Sequence, residues 1–508
     1  MTSTIDAAYS LTSLGQSTRD RCLRLRARGW IDQHTTDLKL LVFAVVLPVM
    51  AVAVSAEKLK YGLAFVAGVA LVSVVLSWPV FGGYLLVALV PSLSGLEPGF
   101  PVPNVRASEA LIGVVGLTVI LGTRRLAALR WGLLEWLLLG HGTVWALLGA
   151  YDALSLGEHL SLSQWGTVFG QLQFFLLYRA VRLTLRSPRQ RRIGLVVLFV
   201  TAIPMTVLAI LQEVNVGGLR VWLWNITGQG SSLQTSSIIR ATGLFANWAS
   251  LAGFIFPMLV VLTALALSGQ LKEHRKAAIA LAALLLVGIL LTAEMSAILC
   301  LVLGVFILGS GYGRFLRILS WIALAAAISL VVVGPVLGQR LNEQFGFVAG
   351  SSKGYEPQTV NFREQVWTQQ YLPAIAQRPL DGYGVELPTS ITWPYPESQY
   401  VAVMIEGGYP MLVMYLVLLW GMFDRARRAS RSLDPFDQAL GRSLTVCTLS
   451  LLLLGVIWPF LSNGGFPQVL WVLFALAEPA TRRIEASAPV LVPSHGDGTL
   501  PDRLVPVP

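Results

Sequence analysis

QRLNEQFGFVAGSSKGYEPQTVNFREQVWTQQYLPAIAQRPLDGYGVELPTSITWPYPES, residues 339–398, is a polar island in an otherwise apolar chain. At about sixty residues it is far longer than a connection between packed spans needs to be, and loops of that length are functional or disordered. Its aromatic residues, Trp367, Tyr371, Tyr383, Trp393 and Tyr395, argue for a folded loop, because disordered linkers are poor in them. The segment from Arg363 to Trp367 reads as helix. This loop is expected to cap a site at the membrane surface, with the flanking helices supplying the rest.

On either side of the island the composition decides the class. Hydrophobic residues make up 55% of the 508 and charged residues only 13%, with a mean hydropathy of +0.67. That describes an all-α, polytopic transmembrane helical bundle, and about twelve to fourteen apolar runs, from 38–56 to 466–478 and including 164–182 and 318–338, are long enough to span. The expected organisation is a basic cytoplasmic segment at 1–37, a transmembrane bundle at 38–338, the large extracytoplasmic loop at 339–398, C-terminal spans at 399–478 and a disordered cytoplasmic tail at 479–508. No apolar core with a cleavage site opens the chain, so the N-terminus is expected to stay in the cytoplasm.

The net charge of +10 does not point to nucleic acid, because the cations fall in short clusters between apolar runs. Arg124, Arg125 and Arg130, then Arg186, Arg189, Arg191 and Arg192, then Lys272, Arg275 and Lys276, then Arg314 and Arg317, and finally Arg425, Arg427, Arg428 and Arg431 all fall in alternate loops. Starting inside, this alternation puts the loops at 93–106, 151–163, 213–247 and 339–398 outside. The run at 61–92 is divided by Pro79, and that at 277–311 by the polar TAEMS.

Cations on the outer side need a reason, and an anionic ligand at the lipid surface supplies one. Arg240 in SSIIRATGLFANWASLAGF is the first; snorkelling to lipid phosphates is its competing explanation. Arg363 has Trp367 four residues on, one turn away on the same helical face, so stacking on that ring is the structural alternative. Arg340 and Arg378 lie in the same loop, and several guanidinium groups suit a pyrophosphate through forked hydrogen bonds. Glu397 stands where the loop meets a span, partly desolvated and hence suited to act as a general base. A helix N-terminal Glu favoured by the macrodipole is the alternative there. Tyr400 and Glu406 follow in PYPESQYVAVMIEGGYP. Glu406 lies inside the apolar run before Gly407 and Gly408, where it either pairs with an arginine or contacts substrate. Glu135, His141 and Glu294 are further ionisable groups in or between spans. The five histidines are scattered and no Asp-x-Asp cluster faces outward, so neither metal nor cofactor is expected.

R-x-T-G-x-F-x-N (Arg240 to Asn247), R-x-x-x-W (Arg363 to Trp367), P-L-x-G-x-G (Pro379 to Gly384) and ESQYVAVMIEGG, in that order, resemble the O-antigen ligase and polymerase superfamily of bacterial membrane glycosyltransferases. The ligases carry a His nine residues before the Glu that precedes Gly; Glu397 holds that position here, which resembles the polymerase branch. Trp248-Ala249 replaces the family's Pro-Asn, and Glu294-Met295-Ser296 its Ser-Arg-Gly.

The resemblance implies a polyprenyl-pyrophosphate-linked oligosaccharide as donor, entering from the outer leaflet of the cytoplasmic membrane. It implies that Arg240, Arg363, Arg378 and Arg340 hold pyrophosphate, that Trp367, Tyr400 and Glu406 contact substrate, and that Glu397 is the catalytic base, with inversion at the anomeric carbon and no metal. Membrane lipids and other polysaccharide-assembly proteins are its expected partners, and nucleic acid is not. A ligase moving finished glycan to another acceptor, and a lipid-linked glycan flippase or transporter, stand as alternatives.

The alternation of cations generates a direct test. Single cysteines placed within 345–360 are expected to react with an impermeant thiol reagent on intact cells; labelling only after lysis would reverse the topology.

Overall fold

The computed structural model describes residues 59–97, 106–122, 131–155, 162–228, 240–313, 358–384, 386–461 and 464–487, together with the isolated positions 334 and 338. The expected span at 38–56, the basic segment 1–37 and Arg340 lie outside them, as does the expected span at 318–338 apart from positions 334 and 338. A first unit, Met1–Trp78, contributes helix α1 (Leu59–Ser77), in which the Ser73 and Ser77 hydroxyls donate to carbonyls one turn back.

The second unit, Pro79–Pro508, is all-helical among its described residues. Its helices are α2 (Pro79–Leu93), α3 (Ala107–Ile120), α4 (Leu133–Ser155), α5 (Leu162–Phe169), α6 (Leu172–Thr184), α7 (Pro188–Val214) and α8 (Leu219–Ile226). There follow α9 (Trp248–Leu267), α10 (Arg275–Leu291), α11 (Met295–Gly311), α12 (Gln358–Val366), α13 (Leu372–Gln377), α14 (Gln399–Ala429), α15 (Pro435–Ile457) and α16 (Phe466–Ser487). Among the described residues, five helices are long and apolar enough to cross a membrane: Leu133–Tyr151 within α4, and α7, α9, α14 and α15. Five shorter apolar helices accompany them, as befits a polytopic membrane protein.

Local sequence sets the ends. Ser187 and Gln190 form a reciprocal capping box around Pro188 at the start of α7, and Asn215 ends it in the left-handed conformation. Asp434 opens α15 by accepting from the Phe436 N–H at 3.0 Å, with Pro435 at its first position. The polar break expected at TAEMS separates α10 from α11, with Ala293 at φ +48°. Two expectations are corrected. The run at 164–182 is not one span but α5 and α6, turned at Gly170, whose N–H bonds back to the Thr167 carbonyl. α16 continues to Ser487, past the residue-479 start expected for a disordered tail, because Ala, Arg, Ile and Glu extend a helix already nucleated.

α9 is the buried axis, apolar on all sides and enclosed by α10, α11, α15 and α16; α14 packs on α15 and α4. Far along α14 from Glu397, buried ion pairs tie the bundle together. Glu135 on α4 is paired with both Arg179 and Arg182 of α6, which makes it structural, and Arg191 of α7 is paired with Asp437 of α15. Arg191 also donates to the Leu476 carbonyl on α16 at 3.2 Å, so three helices meet at one guanidinium.

Replacing Asp437 with Asn should leave the Arg191 charge buried and uncompensated, costing about 3 kcal/mol or more in thermal unfolding of the detergent-solubilised protein. Replacing both partners with apolar residues, as in Arg191→Met with Asp437→Leu, should recover most of that loss.

Candidate active site

The loop folds against the first turns of α14. Val366, Tyr371, Ala374, Ile375 and Ile391 from the loop form an apolar cluster with Val401 and Ile405 of α14. Around it the loop is fixed by its own polar groups: the Gln370 side-chain oxygen accepts from the backbone N–H groups of Thr392 and Trp393, and the Tyr371 hydroxyl donates to the Trp393 carbonyl at 2.8 Å. The Trp367 indole donates to the Pro396 carbonyl at 2.7 Å.

Two motifs interlock by backbone alone. α14 is broken at Gly407 and Gly408, with Pro410 just beyond, so its carbonyls at 405 and 406 lose their helical donors. The Pro379–Gly384 turn supplies replacements: Tyr383 N–H donates to the Ile405 carbonyl at 2.8 Å and Gly384 N–H to the Glu406 carbonyl at 3.0 Å. In return Tyr409 N–H donates to the Pro379 carbonyl at 2.8 Å. The approach is too close for side chains. A Cβ on Gly382 would lie 2.6 Å from the Glu406 carbonyl carbon, and one on Gly408 2.5 Å from the Pro379 oxygen, and both glycines have positive φ.

This clamp sets the strand leading to Glu397, which is buried and adopts φ +54°, an uncommon conformation for a residue with a side chain. Both neighbours are pinned, Pro396 by Trp367 and Ser398 by its hydroxyl, which donates to the Gly455 carbonyl on α15 at 3.1 Å. Arg363 reaches the Glu397 carboxylate at 3.3 Å, and the Trp393 side chain also acts on it. Arg363 therefore faces Glu397, while Trp367 is engaged with Pro396. Burial raises the Glu397 pKa above the ordinary carboxylate value; Arg363 and Trp393 oppose that shift, and the Glu294 charge adds to it. Burial, with Glu397 and Glu406 beyond it, also pushes the Tyr371 phenol up, so it stays a proton donor.

The RATGLFAN segment builds the other side. Ala241 N–H donates to the Leu291 carbonyl at the α10 end, Phe245 is fully buried, and the Asn247 side chain caps α9 by accepting from Ser250 N–H at 2.7 Å. Arg240 lies over the Trp248 ring at 4.4 Å, so the residue that departs from the family pattern supports the guanidinium. Glu294 follows the break where Ala241 is held, and its charge acts on Glu397. The α10–α11 junction thus links the Arg240 segment to the Glu397 loop.

The remaining candidates are placed differently. Arg378 is bonded to Asp381 at 2.5 Å and lies over Tyr383, within its own turn. The Tyr400 hydroxyl donates to the Leu452 carbonyl on α15. Glu406 lines a cavity with Trp145, Leu148, Gly149, Gly384, Gly407 and Met411, and its Oε2 is buried without a hydrogen-bond partner. His141 is buried in a neighbouring cavity that shares Trp145, and its Nε2 also has no partner. Arg363 keeps an unused donor, Nε. Sequence reasoning read Trp393 and Tyr371 only as loop aromatics and passed over Gln370, because their roles depend on contacts about twenty residues apart.

These features define an all-helical membrane protein whose polar loop closes over carboxylates and arginines at the mouth of a broken helix. Residues 280–416 match the family model described as O-antigen ligase, less than half of the chain but the part that runs from α10 through the loop to the broken helix. That match supports the resemblance to the O-antigen ligase and polymerase superfamily over this segment, and with it an O-antigen ligase or polymerase type of membrane enzyme. No curated protein matches the chain.

The clamp is open to direct test. Gly382→Ala should force the turn away from α14, speed limited proteolysis within 340–398 and abolish activity. Gly113→Ala, on a helix where the added Cβ meets nothing within 4 Å, should be neutral by both measures.

Proposed function

We propose that the protein transfers or polymerises a polyprenyl-pyrophosphate-linked oligosaccharide on the outer face of the cytoplasmic membrane. The observation that carries this reading is Glu397, a buried carboxylate in a left-handed conformation, fixed on both sides and facing Arg363. Strained residues held by their surroundings cluster at active sites. In the proposed reaction an acceptor sugar hydroxyl gives its proton to Glu397 while its oxygen bonds to the anomeric carbon of the donor. The bond from that carbon to the pyrophosphate oxygen breaks, and polyprenyl pyrophosphate leaves with its charge held by Arg363 and Arg240. Attack opposite the leaving group inverts the anomeric carbon.

The Arg363–Glu397 pair then has a chemical use. An incoming pyrophosphate competes for the guanidinium and draws it from Glu397. The carboxylate loses the partner that held its pKa down and becomes a stronger base when the donor is present. The unused Nε of Arg363 gives the guanidinium a further donor for that anion.

Glu397→Gln should lower transfer by about 10² to 10⁴ fold while donor binding persists. Polymer formation in cells at matched protein level provides the assay; parental activity in this variant, with loss in Glu406→Gln, would move the base to Glu406. Activity should rise with pH through the Glu397 ionisation, above the ordinary carboxylate range. Removing the opposing charge by Arg363→Gln should move that acid limb of the residual activity to higher pH, and a limb that stays in place would separate the two residues functionally.

A further inference from the structure

The motif that carries Arg240 is held by a side chain far from it in sequence. Gln212, in the last turn of α7, is fully buried, and its carboxamide is spent entirely on residues 242 and 243. Its Oε1 accepts from Thr242 N–H at 2.9 Å and from Gly243 N–H at 2.8 Å, and its Nε2 donates to the Thr242 hydroxyl at 2.9 Å. Thr242 is itself fully buried, and Gly243 takes φ +57°. The turn closes with Phe245 N–H donating to the Thr242 carbonyl at 3.0 Å.

A buried position on an apolar helix face would ordinarily be filled by an aliphatic residue. A carboxamide is tolerated only when its hydrogen bonds are made, and here every one is made to a single turn. That turn has two more anchors, Ala241 on the α10 end and Asn247 at the start of α9. The first fixes the 240–241 peptide beside Arg240, and Gln212 fixes the 241–242 and 242–243 peptides that carry it, so the direction of the chain at Arg240 depends on both.

We infer that Gln212 is a positioning residue for Arg240: it orients the turn so that the guanidinium stands over Trp248, where a pyrophosphate can reach it. The inference rests on the proposed role of Arg240 as a pyrophosphate contact. Gln212 touches no reacting atom, so its effect passes through Arg240. A glutamate would keep the arrangement, since one carboxylate oxygen can accept from both backbone N–H groups and the other from the Thr242 hydroxyl. A leucine has the volume but none of the bonds.

The probe is polyprenyl pyrophosphate, which carries the anion without a commitment to any sugar. Its affinity is measured for the full-length protein in nanodiscs, in Gln212→Leu, Gln212→Glu, Arg240→Gln and the Gln212→Leu/Arg240→Gln double variant. Misplacement by about 1 Å can cost on the order of 10² fold, so Gln212→Leu should weaken binding by about 10 to 100 fold. Gln212→Glu should bind within a few fold of the parent.

The double variant should bind no more weakly than Arg240→Gln alone, because two residues acting through one contact do not add. If Gln212→Leu fails to fold, Thr242→Val, which removes one bond and keeps both N–H anchors, should show a smaller loss that also vanishes in the Arg240→Gln background. Losses that multiply in the double variant, or unchanged binding in Gln212→Leu, would overturn the positioning role alone. Parental affinity in Arg240→Gln would instead overturn the pyrophosphate reading of Arg240, and the inference with it.

Discussion

A helix broken inside a membrane protein exposes carbonyl groups that water cannot satisfy, and the arrangement around α14 follows from how that need is met. The donors come from the Pro379–Gly384 turn, whose N–H groups replace the missing helical ones at Ile405 and Glu406. The exchange requires backbone to touch backbone, which accounts for Gly382 and Gly408 together, one in each motif. The loop is thereby attached to the helix that bears Glu406, and its free end must reach the α14 N-terminus through Glu397. Without the break the loop would have no hydrogen-bonding reason to dock there, and the apolar cluster of Tyr371, Ile375 and Ile405 would fix its position less narrowly.

The electrostatics of the site depend on that docking. Glu397 belongs to the loop and Glu294 to the α10–α11 junction, and the two carboxylates are brought within reach of each other's charge, while Glu397 and Glu406 of α14 both act on Tyr371. Arg363 offsets part of the cost at Glu397. In the proposed reaction such a site would favour neutralisation by a proton from the acceptor, while a pyrophosphate would claim the guanidinium. At the far end of α14 the buried pairs Glu135 with Arg179 and Arg182, and Arg191 with Asp437, are closed among themselves and act as fasteners. Under the proposed function the same residue types would serve chemistry at one end of the bundle and assembly at the other, according to what each charge faces.

Much of the fold was legible in the sequence because the signals were long or local. Apolar runs and alternating Arg clusters mark a polytopic helical bundle, Pro79 and TAEMS mark breaks, and the aromatic content of 339–398 marks a folded loop. The division of 164–182 was missed because a run that is apolar enough to span gives no sign of a turn at Gly170. At the site, Glu397, Arg363 and Arg240 could be singled out as ionisable groups at membrane boundaries, and the order of the motifs supported them.

By itself, then, the sequence determined the class, the helices and the residue types available for chemistry, since each depends on composition or on neighbours within a few turns. The tertiary structure decided which charges meet. It gave Arg363 to Glu397 rather than to Trp367, turned Arg378 to Asp381 within its own turn, and seated Arg240 on Trp248. It also brought in Gln212, thirty residues from its partner, with no local signal to mark it. Pairings of this kind are fixed by the packing of distant helices, and a hydrogen bond between residues on separate elements leaves no periodicity in the chain that makes it.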